Sequence, residues 1–387
     1  MVDFSLTQKD KELIALQLKE NEIGRKMARE IDRTYENGPA KLFGVHPEVE
    51  GKKSPDELLA HDPSGTSGPY ITEALLALAS AQDHNLRDTG DEAFGTWMVR
   101  DYGTEEQKKK YGHLKLAIGI TEPSAGSDPS VMRTNAKFDP ATNEYVLNGE
   151  KVFISSINKY DGALTLMKGE PDANGKATFL TVIVTKDLPG FTEIAQFKKL
   201  GLHGFDIGGF ILDNVRVPAD RRVDAGFAKT MGKFNHNRPM VSAVAMAKCR
   251  SLLDFTYEKM AEAGVTVDYA KGRAARSAVE EKLVQYEAMW EAVWGTVMRA
   301  KWLEEVHGEE SDAFRVEASI AKALGGKCAR LITQGCLEVL GPEGLSEDYL
   351  AEKWFRDVRI ADIYEGAGEI QRILIARPLL GYKKELN

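Results

Sequence analysis

The sequence predicts a mostly α-helical chain built around a central antiparallel β-domain, in the order α, β, α. Three observations predict it. Apolar residues recur at helical spacing through the first third. Short β-rich runs replace them near Leu116. The helical period then returns near Phe227 and holds to the end. The expected domains are residues 1–115, 116–225 and 226–387, and 387 residues suffice for each to bury a core.

Within the first domain, Thr7 followed by Asp10 reads as a capping box shortened from Glu to Asp. Ile23, Met27 and Ile31 then repeat every four residues, as one buried helix face requires. Residues 44–70 are rich in Pro, Gly and Ser and predict a long loop. Helix signals resume in ITEALLALASAQ and around residues 97–111. In the middle domain Asn148-Gly149 lies between two β-rich runs and predicts a hairpin turn, because both positions favour positive φ. Asn174-Gly175 and Pro189-Gly190 punctuate the strands that follow. In the last domain Leu283, Tyr286, Trp290, Val293 and Val297 mark one apolar face at spacings of three and four. Such a stripe is bundle core.

Composition narrows the function class. A net charge of −8 with no long Lys/Arg run argues against nucleic acid as the main partner. Cys249, Cys328 and Cys336 show no C-x-x-C spacing, so neither a disulfide framework nor a metal site is expected. The N-terminus is too charged for a signal peptide and no apolar run is long enough to span a membrane. A soluble cytoplasmic protein is the expectation.

Three segments carry chemistry. AIGITEPSAGSDPS, at the helix-to-strand junction, gathers hydroxyls and backbone N–H groups that suit a flat ring or a pyrophosphate. An ordinary Gly/Ser loop is the competing reading. The strand with Lys151, Phe153, Ile154, Ser155 and Ser156 sets Phe153 and Ser155 on one face. That suits a stacked heteroaromatic ring with one hydrogen bond, or simply a half-buried strand. Glu365 precedes Gly366-Ala367-Gly368 at a loop-to-helix corner. There it is either a first-turn acid favoured by the helix dipole or a desolvated base able to take a carbon-bound proton.

TEPSAGSD, the Lys-x-Phe-Ile-Ser strand and YEG with IQR, in this order and spacing, resemble the acyl-CoA dehydrogenase family over nearly the whole chain. DYGTEEQKKKY, KLGLHG and DNVRVP support the likeness. The resemblance implies that family's α–β–α fold, with an FAD between the β-domain and the C-terminal bundle. It implies removal of an α-proton and a β-hydride from an acyl-CoA. By match to the family's motifs, Glu365 is the base and Arg238 lies near it. Ile120, Thr121, Ser127, Phe153, Ile154 and Ser155 lie along the cofactor. Glu338, Gly341, Ala367 and Glu369 fall on its diphosphate and adenosine side. Ser127, Phe234, Asn237, Arg238 and Gly366 line the CoA path. The backbone N–H of Glu365 would meet the thioester oxygen as enolate charge develops, and the cofactor carries the redox step. The resemblance further implies an electron-transferring flavoprotein or similar acceptor, and a homotetramer.

The sequence also departs from the family. Its Arg-x-x-Phe-Gly clamp is missing from EKMAEAGVTVDYAKGRAARS, where only Arg273 and Arg276 offer a substitute. EVLGPEGL replaces the usual Gln and Gly-Gly segment, and Ala367 stands for a usual Thr. Arg87, Asp88 and Asp91 crowd the segment expected near the acyl end. They read either as a solvated helix face or as a site for a polar or cyclic acyl group, with Asp88 or Asp91 as a second base. Two rival functions stand beside dehydrogenation. One is an enoyl-CoA reductase or redox-neutral lyase on the same fold, the lyase disfavoured by the intact Glu365. The other is a flavin-free subunit of a hetero-oligomer, motivated by the missing clamp.

Overall fold

A computed structural model describes residues 6–34, 48–80 and 93–381. The chain runs through α1 (Gln8–Thr34), α2 (Pro55–His61), α3 (Pro69–Ser80), α4 (Phe94–Tyr102) and α5 (Glu105–Tyr111). The strands follow: β1 (Leu116–Gly119), β2 (Asn135–Asp139), β3 (Glu144–Ser155), β4 (Gly162–Lys168), β5 (Phe179–Thr185), β6 (Phe191–Ile194), β7 (Ile207–Pro218) and β8 (Arg222–Val223). The last elements are α6 (Gly226–Glu262), α7 (Ala278–His307), α8 (Asp312–Leu340), α9 (Ala351–Asp357) and α10 (Gly368–Leu379). The helices, the sheet and the helices appear in the expected order.

Helix starts follow local chemistry. Thr7 Oγ1 accepts the N–H of Asp10 while Asp10 accepts that of Thr7, the shortened capping box read from the sequence. Ser54 with Glu57, Thr104 with Gln107 and Ser277 with Glu280 close full capping boxes. The box at Ser54, with Pro55 at the first helical position, nucleates α2 inside the stretch expected to be all loop. That expectation was wrong because Pro there starts a helix instead of breaking one.

Two compact units form: Met1–Arg87, Leu200–Gly204 and Phe234–Asn387 make the helical one, Asp88–Lys199 and Phe205–Lys233 the sheet-bearing one. In the helical unit α3, α6, α7, α8 and α9 share one core, with Leu283, Trp290, Val293 and Val297 buried as the periodicity predicts. Each such side chain contributes about 1.5–3 kcal/mol by leaving water. The cysteines are free, with Cys249 and Cys336 buried in this core.

In the other unit the strand order is β6-β7-β3-β2-β4-β5-β8, with β1 also on β4. Most ladders are antiparallel, as expected, but β1 and β2 both pair β4 in parallel, so the sheet is mixed. Helices α4 and α5 pack their Met98, Val99 and Tyr111 onto Leu116, Leu164 and Ile183 of this sheet.

The hairpin expected at Asn148-Gly149 does not form there. β3 runs straight through, and the β2–β3 turn lies at Asp139–Glu144, with Asn143 at φ 56°. Gly149 marks a bulge instead, at φ 141°, where an added Cβ would sit 2.5 Å from Thr134 Cα. Gly149→Ala is therefore expected to cost about 2–4 kcal/mol in urea denaturation. A loss below about 1 kcal/mol would show that the bulge relaxes.

Among the described residues no helix is long and apolar enough to cross a membrane, and no acid, His or Cys group could hold a metal ion.

Candidate active site

The chemically distinctive place in the helical unit is the corner before α10. Glu365 sits at φ 54° and Gly366 at φ 90°, two consecutive left-handed residues. For Glu this conformation costs on the order of 1–2 kcal/mol, so other contacts must hold it. Gln371, fully buried on α10, donates from Nε2 to the Gly366 carbonyl at 3.0 Å and the Glu365 carbonyl at 3.3 Å. Lys322, fully buried on α8, donates to the same Gly366 carbonyl at 3.1 Å. Gly366 suits this place because φ 90° strains any other residue and a Cβ, 2.3 Å from Gln371 Nε2, would push that amide off the corner's carbonyls.

The Glu365 carboxyl is half-buried as a residue, yet its Oε2 is enclosed and accepts no hydrogen bond among the described residues. Burial pushes its pKa up to about 7, against the nearby positive charges of Lys322, Arg238 and His236. Arg238 is buried on α6, with its Nη2 4.0 Å from where a Gly366 Cβ would be. It donates to Asn235 Oδ1 and, at 3.5 Å, to Ser319 Oγ. Burial draws its pKa down to about 10, although Glu365 opposes that.

Two residues earlier on α6, His236 joins a buried ionic cluster. Its Nδ1 meets Glu304 Oε1 at 2.7 Å and its Nε2 meets Glu73 Oε1 at 3.3 Å. Lys301, fully buried, bridges the same acids at 3.1 Å and 3.0 Å. Burial and Lys301 would lower the His236 pKa, but Glu304 and Glu73 raise it to about 9, so the imidazole is cationic at neutral pH.

In the sheet-bearing unit the TEPSAGSD turn is anchored from behind. Lys151 is fully buried and donates to Glu122 Oε1 at 2.9 Å and the Ile120 carbonyl at 2.8 Å. Glu122 also accepts the N–H groups of Arg133 and Thr134 at 2.6 and 3.0 Å, closing the loop. The Val152 N–H donates to the Thr121 carbonyl at 2.9 Å. A second bulge, between Val152 and Ile154, puts Phe153 at φ 57° and leaves its ring 63% exposed. Phe153 and Ser155 both face outward while Ile154 is buried, as the alternation predicts. Phe197 covers part of the Phe153 ring at 5.1 Å. Ser127 is exposed on the turn, and Ile120 and Thr121 are half-buried.

The structure thus gathers Glu365, Gly366 and Arg238 in the helical unit. Phe234 and Asn237 follow on α6, half-buried. Ile154 offers only backbone. Glu338 and Gly341 lie at the far end of α8, some 24 Å along the helix from Lys322 at about 1.5 Å per residue. There Glu338 pairs with Lys282 and Gly341 caps the helix. Ala367 caps α10, and Glu369 is exposed with Arg372. Arg276 and Arg273 both pair with Glu281, at 3.3 and 3.2 Å; Arg276 also donates to the Tyr269 carbonyl, and Arg273 is 81% exposed. Arg87, Asp88 and Asp91 lie outside the described residues.

Sequence reasoning missed Lys322 and the Glu73–Lys301–Glu304 set. A Lys three residues before a Glu reads as a solvated helix pair, and nothing local marks either residue as buried. For Lys322 the only signal was its flanking by Ala, Leu and Gly.

Comparisons with known proteins identify relatives over most of the chain. Residues 117–215 match the family model of the acyl-CoA dehydrogenase middle domain and residues 224–380 that of the C-terminal domain. An acryloyl-CoA reductase (NADH) of Anaerotignum propionicum is 30% identical over 98% of this chain and 96% of its own. An acyl-CoA dehydrogenase of Bacillus subtilis is 32% identical over 74% of this chain and 76% of its own. The solved butyryl-CoA dehydrogenase of Megasphaera elsdenii shares the fold at a TM-score of 0.77 and 24% identity, covering 98% of this chain and 100% of that one. On these matches, and on its motifs, the chain belongs to the acyl-CoA dehydrogenase family.

Proposed function

We propose that this enzyme moves hydrogen across the α,β bond of an acyl-CoA thioester with the help of FAD, Glu365 taking the α-proton in the oxidative direction. The observation that carries this reading is Glu365 itself: an enclosed carboxylate oxygen without a donor, displaced to near-neutral acidity, on a corner held at positive φ. A thioester α-proton is only weakly acidic, so its base must combine near-neutral pKa with exclusion of water. The developing negative charge on the thioester oxygen needs a donor. The Glu365 N–H donates to no acceptor among the described residues and suits that task. Arg238 and Lys322 steady the carboxylate that results.

The residues fit a flavin. Phe153 turns an aromatic face outward from an otherwise well-packed strand, and the Ser155 hydroxyl stands two residues along the same side. A flat heteroaromatic ring takes one stacked face and one hydrogen bond from such a pair. When bound, FAD supplies the acceptor for the β-hydride. The partner this reading requires is an electron-transferring flavoprotein or similar acceptor, within a homotetramer by family analogy. A polar or cyclic acyl group, read from Arg87, Asp88 and Asp91, completes the proposal.

Anaerobic titration of the purified protein with linear, cyclic and dicarboxylic acyl-CoA esters tests it. Bound flavin should bleach with one class in the wild type and not in Glu365→Gln. If no flavin binds, the flavin-free subunit reading takes over.

The Anaerotignum relative, named a reductase, favours the reverse direction as a second reading. The pH profile separates the two. Oxidation needs the carboxylate, so kcat/KM should rise as pH increases through about 7. Reduction of a 2-enoyl-CoA needs the protonated acid, so its rate should fall over the same range.

A further inference from the structure

We propose that Lys322 is a positioning residue for proton transfer at Glu365: it pins the Gly366 carbonyl and places a fixed positive charge behind the carboxylate. This rests on the reading of Glu365 as the base.

The argument begins with an energetic anomaly. Lys322 is fully buried in the middle of α8, and its ammonium makes one hydrogen bond, to the Gly366 carbonyl, among the described residues. No described carboxylate comes within 4.0 Å of it. A buried ammonium with three donors and one acceptor costs several kcal/mol that a Met or Leu at this position would not. By contrast Lys151, Lys248 and Lys301, also buried, each have a carboxylate within 3.6 Å. Stability therefore does not explain a lysine at 322.

Its surroundings do. The acids that act on it are Asp362, Glu365 and Glu369, in that order. Asp362 already pairs with Arg330 at 3.0 Å and Glu369 with Arg372 at 3.2 Å. Glu365 is left as the acid without a cation in contact, and its Oε2 has no donor. Burial draws the Lys322 pKa down to about 8, with Asp362 and Glu365 opposing, so the side chain still carries its charge at neutral pH.

The other charged groups around Glu365 have different attachments. On α6, Arg238 is tied to Asn235 and Ser319, and His236 to Glu304 and Glu73. On its own segment stand Asp362, Tyr364 and Glu369, with the Tyr364 ring 6.0 Å from Lys322 Nζ. Lys322 alone both touches the corner's backbone and lacks a carboxylate of its own. Its charge favours the ionised base, and its hydrogen bond to the next peptide fixes where that base points.

The test reads the carboxyl directly. In pH-difference infrared spectroscopy of the purified protein, protonated Glu365 gives a carbonyl band that Glu365→Gln lacks. In the wild type this band should titrate near pH 7. In Lys322→Met and Lys322→Gln the midpoint should rise by about one unit or more, a tenfold change in acidity. Lys322→Arg, which keeps the charge, should stay near the wild type. An unmoved midpoint in Lys322→Gln overturns the proposal, and that variant decides alone if Lys322→Met does not fold. The base reading fails separately, if Glu365→Gln still exchanges substrate α-protons with solvent. The band shift would then stand as a property of the carboxyl without a role in the reaction.

Discussion

Glu365→Gln should lower turnover by roughly 10²–10⁴-fold, the usual worth of a positioned general base, while making the protein more stable above pH 7. The two effects share one cause. The folded protein holds the Glu365 proton with a pKa of about 7, against an ordinary value of 4.5. Between those values the folded state binds more protons than the unfolded one, so wild-type stability falls as pH rises from 4.5 to 7 and then levels off. Gln is isosteric with the neutral acid and never pays that penalty. The variant should gain on the order of 1–3 kcal/mol at pH 8 and nothing below pH 4.5. Urea midpoints at the two pH values check this alongside the rate. A variant as inactive as expected but no more stable at pH 8 would mean that the carboxylate is better solvated than its enclosure implies.

Lys301→Met should be the most destabilising of the conservative core substitutions, by about 3–5 kcal/mol, because it leaves buried acids short of a cation. Glu304 would keep only His236, and Glu73 would lose its 3.1 Å partner. The cluster has a pH signature as well. His236 is raised from 6.5 to about 9, so its contribution is complete below 6.5 and is lost as pH rises through 9. Glu73 is lowered from 4.5 to about 2, so its contribution is complete above 4.5 and fades as pH falls toward 2. Wild-type denaturation should therefore show an alkaline decline. Adding Glu304→Gln to Lys301→Met should recover part of the loss. A cost under about 1 kcal/mol for the single variant would show that water enters the cluster.

How far these features could be read beforehand depended on whether their cause was local. The capping box at Thr7, the stripe from Leu283 to Val297 and the outward face of Phe153 and Ser155 follow from spacing alone. Glu365 was visible as a carboxylate on a Gly-rich corner, but its enclosure, which supports reading it as a base over a capping acid, was not. Asn148-Gly149 misled because a positive-φ preference serves a bulge as well as a turn, and the close approach of Thr134, which excludes a Cβ at the bulge, has no local mark. The parallel pairing of β1 and β2 on β4 leaves no local mark. Lys322 and Lys301 were invisible for the same reason: burial of a charged residue is decided by what packs on it.

The cysteines of the helical core give this protein an internal clock. Burial pushes the Cys336 thiol up to about 12 and the Cys249 thiol well above its ordinary value. Only a thiolate attacks an alkylating reagent, and in the native state neither sulfur is ionised or accessible. Each alkylation at these two positions therefore marks a molecule whose α6–α8 packing has opened at least once. The count requires no introduced label and does not depend on whether any ligand has been found.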